Sequence, residues 1–486
     1  EACKECTGSE WIWLQRYFMV LETTKSFTKK TPIPKTLISS SLKINVTDLG
    51  DRVEPFADNN RWSSDMDDSL LEWQSRIPDD WKESVVVFAW GKGSEGQLGS
   101  LSSSDVSEPR MSNEFGKICC DIIGGERCTF VRSDEGELFA TGLGEYGRLG
   151  VNDTDHRREL TPVDFGGAII TFVHSSRGSY GSTMAIDAQG KVWSWGDGDY
   201  GKLGHGDRSQ QPKPKIISGL SNFEILTVYC GFAHSAAVTK SGELYTWGNG
   251  DDGRAGHGNE TYYESPKLVE GLSGFPVCGV ACGENHTVAL VNNGNSAWSF
   301  GSNDSGQLGN GSTTSSPTPQ EILFPPHAPF IKVEAGSRFS VFLTKDGKLF
   351  TCGLGNQGVL GTGEVTNQNV PALVPLEGQF IIDVNVGGDH VIALSRDGNV
   401  FTWGSNDCGE LGLGHHRSAY VPELVTFPGR RIKILEIASG SHHCFAYAKL
   451  TDLSQLVPQK LPEQYENLRQ VFGSEMVSRG RILHKF

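Results

Sequence analysis

The stretch SWGDGDYGKLGHG (residues 194–206) decides how the rest of the chain is read. It opens on an aromatic residue and a glycine, crosses a short acidic turn and closes on Gly-Lys-Leu-Gly. The pattern returns at intervals of about 50 residues, and a fixed period of that length marks a repeat architecture. Upstream lie AWGKGSEGQLG (89–99) and TGLGEYGRLG (141–150). Downstream follow TWGNGDDGRAG (246–256), SFGSNDSGQLG (299–309), TCGLGNQGVLG (351–361) and TWGSNDCGELG (402–412), which makes seven copies.

Each copy is joined to a second half-motif, typified by VYCGFAHSAAVTKSGELYTWG (228–248). There Gly231 is followed three residues later by His234, then by an apolar run, a Ser-Gly turn and a second run ending at Trp247. Parallel segments are ACGENHTVAL (281–290), AGSRFSVFL (335–343), VGGDHVIAL (386–394) and SGSHHCFAY (439–447), with more degenerate copies near Gly125 and Gly178. Short alternating runs separated by Gly, Asp and Asn turns predict antiparallel strands. A unit of about 50 residues supplies four of them, which is one propeller blade. The leucine of each Gly-x-Leu-Gly (Leu98, Leu149, Leu203, Leu308, Leu360, Leu411) is expected to plug the seam between blades. Ala255 breaks that series and predicts a less filled seam.

The chain enters the repeats at a first half (85–99) and leaves them at a second half (432–447). Those halves complete one shared blade, and a ring closed this way has no open sheet edge to template aggregation. The expectation is an all-β, seven-bladed propeller over residues 85–449. Before it, residues 1–60 read as a lead-in or linker. Residues 61–84 read as a short capping helix that gathers Leu70, Leu71 and Trp73 and ends at Pro78. Residues 450–486 read as a C-terminal helical extension after Pro462.

Glycine is 60 of 486 residues, about twice the usual share, and its fixed places assign it to turns that need positive φ. A formal charge of −15 argues against a nucleic-acid surface, whose footprint is basic. No run of roughly 18 apolar residues is present to span a membrane. The 11 cysteines, odd in number and scattered, suit a reducing compartment, so the expected location is the cytoplasm, extending to the nucleus. Cys3 and Cys6 have metal-ligand spacing but lack a second pair, and no cofactor or metal site is expected. No hydrolytic triad or phosphate loop stands out, so no catalytic residue is assigned.

Two ring-forming sets of residues remain. His234, His286, His390 and His443 share one repeat position, and their plain reading is a ring nitrogen that satisfies a backbone group of the recurring turn. The acidic turns carry Glu95, Glu145, Asp197, Asp199, Asp251, Asp252, Asp304 and Asp407, with Asn356 and Gln357 as the neutral copy. Equivalent repeat positions emerge on one face, so these carboxylates predict a partner-binding rim that attracts basic protein segments. Their competing role is plain turn chemistry, for which Asp and Asn are well suited.

With both half-motifs recurring in phase, the chain resembles the regulator of chromosome condensation family of seven-bladed propellers. A narrower resemblance is to the propeller domains of the giant HERC-type HECT ubiquitin ligases. It is carried by DDSLLEWQSRIPDDW (67–81) leading into FAWGKGSEGQLG (88–99), and by LPEQYENLRQ (461–470) after the last repeat. The resemblance implies a module that binds protein substrates or regulators, with ubiquitin transfer performed by a separate HECT domain. Its alternative is a nucleotide exchange factor or binding domain for a small GTPase, the activity of the family's founding member. In that member such histidines lie on the GTPase-facing side and an inserted hairpin wedges the nucleotide site. Here the regular spacing leaves no room for such a hairpin. The ultraviolet receptor of plants, of the same family, is distinguished by repeated Gly-Trp-Arg-His-Thr. The matching positions here read Gly-Phe-Ala-His, Gly-Glu-Asn-His and Gly-Gly-Asp-His, and the tryptophans Trp90, Trp195, Trp247 and Trp403 are expected in the core instead.

Overall fold

The computed structural model describes residues 85–449, apart from 113, 116–120, 179–180, 326–327 and 429–431. The expected lead-in, capping helix and C-terminal extension lie outside the described residues, as do Cys3 and Cys6.

Small and apolar residues in unbroken runs make strands that are covered on both faces. In the unit that follows Ile225, His234–Thr239 is buried at every residue, and so are its counterparts His286–Val291, Phe339–Thr344 and His390–Ser395. Each is the second strand of a four-stranded antiparallel sheet, and there are seven such sheets. We number the blades 1 to 7 by chain order: 121–162, 170–216, 225–268, 277–321, 330–373, 381–424, and a last one made from both ends. Blade 7 has the order Val106–Ser112, Val85–Gly91, His443–Lys449, Glu436–Ser439. Val85–Gly91 pairs with His443–Lys449 along its whole length, with Phe88 opposite Ala446 and Gly91 opposite His443. The ring closes by pairing the two half-repeats, as the motif phase predicts.

The first strand of each blade touches the first strands of its neighbours, so these seven line the central channel. The fourth strand is outermost and has one free edge. Six of the seven outer strands place proline at the same register position: Pro109, Pro214, Pro266, Pro319, Pro371 and Pro422. Proline has no N–H to offer another chain, so it blunts an edge that would otherwise recruit further strands.

The aromatic-Gly motif ends the third strand. Gly248 lies so close to the start of the second strand that a Cβ would sit 2.7 Å from the Ala233 carbonyl oxygen, and its φ is +103°. The aromatic residue before the glycine enters the seam toward the preceding blade. The indole N–H of Trp195 donates to the Arg148 carbonyl (3.0 Å) and that of Trp247 to Lys202 (2.8 Å). Trp403 donates to Val359 (3.1 Å) and Trp90 to Glu410 (2.9 Å). Every acceptor is the residue just before the plug of the preceding blade, and the plug leucines are fully buried. A buried leucine contributes about 1.5–3 kcal/mol, so six recurring plugs are a large share of what holds the blades together. At the seam of blades 3 and 4, Ala255 is fully buried and Phe300 stands where blades 2, 3, 6 and 7 carry tryptophan, its ring packed on Gly256. Having no N–H, Phe300 leaves the Arg254 carbonyl to the hydroxyl of Thr287 (2.8 Å).

Among the described residues no helix is long and apolar enough to cross a membrane. Cys128, Cys230, Cys278, Cys282, Cys352, Cys408 and Cys444 are free thiols.

Candidate functional site

The turns between first and second strands and the loops between third and fourth strands emerge on the same face of the ring. That face collects all the candidate residues, and it divides into a channel mouth and an outer rim.

At the mouth, the turn backbones of successive blades are joined. Phe232 N–H donates to Gly283 O (3.3 Å), Glu284 to Ser337 (3.2 Å), Ser337 to Gly388 (3.0 Å), Gly388 to Ser441 (3.0 Å) and Ser441 to Gly125 (2.9 Å). Below this chain sit the four histidines, all fully buried. Their rings reach the next blade rather than the backbone of their own turn, which corrects the expectation. His234 Nε2 lies 2.8 Å from Thr287 Oγ1, and His286 Nε2 lies 2.9 Å from Ser340 Oγ. His443 Nε2 is 3.0 Å from Thr129 Oγ1, and His390 Nε2 is 3.1 Å from Cys444 Sγ.

The hydroxyls set the tautomer. Thr287, Ser340 and Thr129 each donate their one proton to a carbonyl, of Arg254, Gln307 and Gln97 respectively. Each facing Nε2 must therefore carry the proton and donate, leaving Nδ1 as a bare, buried lone pair. Burial, with Arg254 adding to it, lowers the His286 pKa to about 3; burial followed by His442 does the same for His443. Burial also drives His234 and His390 well below the ordinary value. These rings are neutral inter-blade clamps, out of reach of a ligand on the surface. Gly231 begins the motif because a Cβ there would sit 2.8 Å from His234 Cε1. Blade 5 has Phe339 at the histidine position, and the facing residue in blade 6 is Val391, which has no hydroxyl to accept a bond.

The rim is less uniform than its motif. Glu145, Asp199, Asp304 and Asp407 are exposed, Glu95 and Asp252 partly so, and Asn356 with Gln357 forms the neutral sector. Asp251 is half-buried and accepts from the Tyr262 hydroxyl (3.0 Å), while Asp252 pairs with Arg254 (3.3 Å). Asp197 does not belong to the rim. It is 4% exposed and ion-paired with Lys202, itself fully buried beside the plug. The acidic turn is bent by a residue with positive φ, which is Tyr146, Tyr200, Asp252 and Gln357 in blades 1, 2, 3 and 5.

Sequence reasoning missed the third feature, a charged network that fills the channel below the mouth. Blade 2 has a longer first turn than blade 3. Ser176 N–H bonds to Ser182 O, whereas the equivalent bond runs from Gly231 to His234, so three extra residues lie between. From this turn Arg177 reaches past blades 3 and 4 to Glu334 of blade 5 (3.3 Å), and also to the Tyr229 hydroxyl of blade 3 (3.2 Å). The Tyr229 hydroxyl donates to Glu334 (2.5 Å). Lys332 adds a second cation to Glu334 (3.3 Å) and bridges to Asp383 of blade 6 (2.8 Å). Blade 4 offers only Ala281 at this level of the channel, which leaves Tyr229 a path to Glu334. Burial pushes the Glu334 carboxyl up, but Lys332, Arg177 and the Tyr229 bond outweigh it and hold it below the ordinary range. The added length of the blade 2 turn, visible in SSRGSYG, was the available signal.

The regulator of chromosome condensation repeat model matches residues 189–238, 241–290, 295–343, 346–394 and 397–447. Five matched repeats, each taking the last two strands of one blade and the first two of the next from blade 2 to blade 7, decide the assignment. The chain belongs to the regulator of chromosome condensation family. Family members similar to it include the E3 ubiquitin-protein ligase HERC2 of Homo sapiens, 33% identical over 489 residues. That likeness covers 98% of this chain but only 10% of the relative's length. The ultraviolet-B receptor UVR8 of Arabidopsis thaliana is 30% identical over 360 residues, covering 74% of this chain and 80% of that one. Among family structures, Prp20p of Saccharomyces cerevisiae, described with its binding to Gsp1p and histones, superposes with a TM-score of 0.67. It is 20% identical and covers 81% of this chain and 98% of its own, a likeness of fold.

Proposed function

We propose that this propeller recruits protein substrates or regulators to a HERC-type E3 ubiquitin ligase of the cytoplasm and nucleus. The observation that carries the reading is the reach of the similarity to HERC2. It takes in 98% of the chain, and so runs past the blades on both sides, while the similarity to UVR8 stops at 74%. Ubiquitin transfer in this reading belongs to another part of the parent protein, and the propeller contributes only binding.

The contact surface we assign is the rim of Glu95, Glu145, Asp199, Asp252, Asp304 and Asp407, and the partner is a protein segment rich in Lys and Arg. Like charges spaced around one rim repel one another and together create a field that speeds the arrival of a basic partner. The deciding experiment removes residues 85–449 from the parent protein. Ubiquitin loading of the parent should persist while modification of propeller-bound proteins is lost. A parent with no ubiquitin-transferring domain, or one whose modified proteins are unchanged by the deletion, overturns the reading.

A further inference from the structure

Leu160 is the exception among the outer strands. In the other six blades the fourth register position is proline, whereas Arg157–Pro162 of blade 1 places a leucine there, with an N–H to offer. Leu160 has no register partner on the third strand, Leu138–Gly142: the pairing jumps from Arg157 opposite Gly142 to Thr161 opposite Ala140. Blade 3 makes the same jump around Pro266. Pro162 blunts only the last position of the blade 1 edge. The donor in the middle is taken by a carboxylate instead. Leu160 N–H donates to Glu114 Oε1 at 2.7 Å, a charge-assisted bond and so roughly twice as strong as a neutral one.

Glu114 is held in this place by its surroundings. It belongs to the connection from blade 7 to blade 1, and Phe115 beside it is fully buried, edge-on to Phe445 at 5.4 Å. Phe115 N–H also reaches Ser112 Oγ (3.5 Å). The second carboxylate oxygen of Glu114 lies over Gly99, the glycine that closes the blade 7 plug, where a Cβ would come within 2.7 Å of it. The plug glycine of blade 7 thus leaves the room through which the carboxylate reaches the edge of blade 1.

We infer that Glu114 guards the edge of blade 1 in place of proline, and that without its carboxylate this strand pairs with the same strand of a second copy of the chain. An edge strand with an unanswered N–H in its middle is a template for a further strand. A second copy supplies a self-complementary one, since a two-fold axis presents the same patch from both sides. Antiparallel pairing about that axis can set Arg158 of each copy opposite Glu159 of the other, and both residues are exposed. Opposite charges at facing positions stabilise a pair of strands. The six proline edges offer no donor at the matching position, which confines this association to blade 1.

The test is sedimentation velocity on the full chain, with variants that separate the guard from the fold. Glu114→Ala should raise the fraction sedimenting as dimer or larger about tenfold over the unaltered chain, increasing with protein concentration. Glu114→Gln keeps a carbonyl oxygen for the Leu160 N–H and should stay near the level of the unaltered chain. Glu114→Ala combined with Leu160→Pro installs the device of the other six blades and should return to that level. Association of Glu114→Ala no greater than that of the unaltered chain, or equal association by the double variant, would overturn the inference. So would a Glu114→Ala chain that loses its sharp thermal transition and does not regain it with Leu160→Pro, because Glu114 would then serve only the packing of its own connection.

Discussion

Arg177 and Glu334, 157 positions apart in the chain and separated by two intervening blades, form an ion pair inside the channel with side chains 9% and 6% exposed. Few contacts in a ring reach past the adjacent blade, and this one links blade 2 to blade 5. A buried pair of this kind is weak evidence of net stabilisation, since desolvation offsets much of the attraction. Breaking it from one side is another matter. Glu334→Gln leaves the buried Arg177 charge without its carboxylate, while Lys332 keeps Asp383, and the expected loss is about 3–5 kcal/mol in urea unfolding. Arg177→Met combined with Glu334→Met should cost less than the sum of the single changes. Additive losses would mean that the two residues act independently.

The histidine clamps make stability depend on pH in one direction. The pKa of His286 and His443 is lowered to about 3 from an ordinary 6.5, so the folded state excludes a proton that the unfolded chain takes up. Their contribution is complete above about pH 6.5 and is lost as the pH falls toward 3, at up to about 1.4 kcal/mol per pH unit for each ring. His286→Phe copies the residue that blade 5 uses at this position. It should flatten the slope between pH 6.5 and 4 by the share of one histidine. An unchanged slope in denaturant titrations would show that the ring is protonated when folded.

Closure of blade 7 carries the cooperativity of the ring. Truncation after Pro428 strips Val85–Gly91 of its partner His443–Lys449 along seven paired residues. The shortened chain should lose its sharp thermal transition and aggregate through the exposed edge. A transition as sharp as that of the full chain would remove closure as the source of cooperativity.

For the rim, Asp199, Asp304 and Asp407 are the informative positions, because Asp251 and Asp252 already have protein partners. Charge reversal of the three to Lys should slow association of a Lys/Arg-rich peptide at low salt. The melting temperature should shift little, since exposed charges each contribute about 1 kcal/mol or less. Unchanged association rates would reduce the acids to turn chemistry.

Each blade of the described residues is a plain four-stranded sheet, with no hairpin inserted among the strands. Micromolar propeller should therefore leave the rate of GDP release from a small GTPase at its spontaneous value, as read with a fluorescent nucleotide. A large acceleration would reopen exchange as an activity.

The local code of this chain was legible because each repeat restates it. Aromatic, glycine, acidic turn and Gly-x-Leu-Gly recur, and strand length, turn conformation, plug and blade number follow from steric rules that act within a few residues. The phase of the first and last halves even determined how the ring closes. The tertiary structure alone decided which polar groups meet across seams. Asp197 looks like its neighbours in every turn, yet the Lys202 beside its own plug draws it inside. The four histidines look like satisfied turn residues, yet their partners are three hydroxyls and a thiol of the next blade, brought near by the angle between blades. Arg177 and Glu334 have no shared motif at all. Contacts within a repeat depend on spacing, which sequence records directly. Contacts between repeats depend on where the closed ring sets each backbone in space, and no single repeat contains that distance.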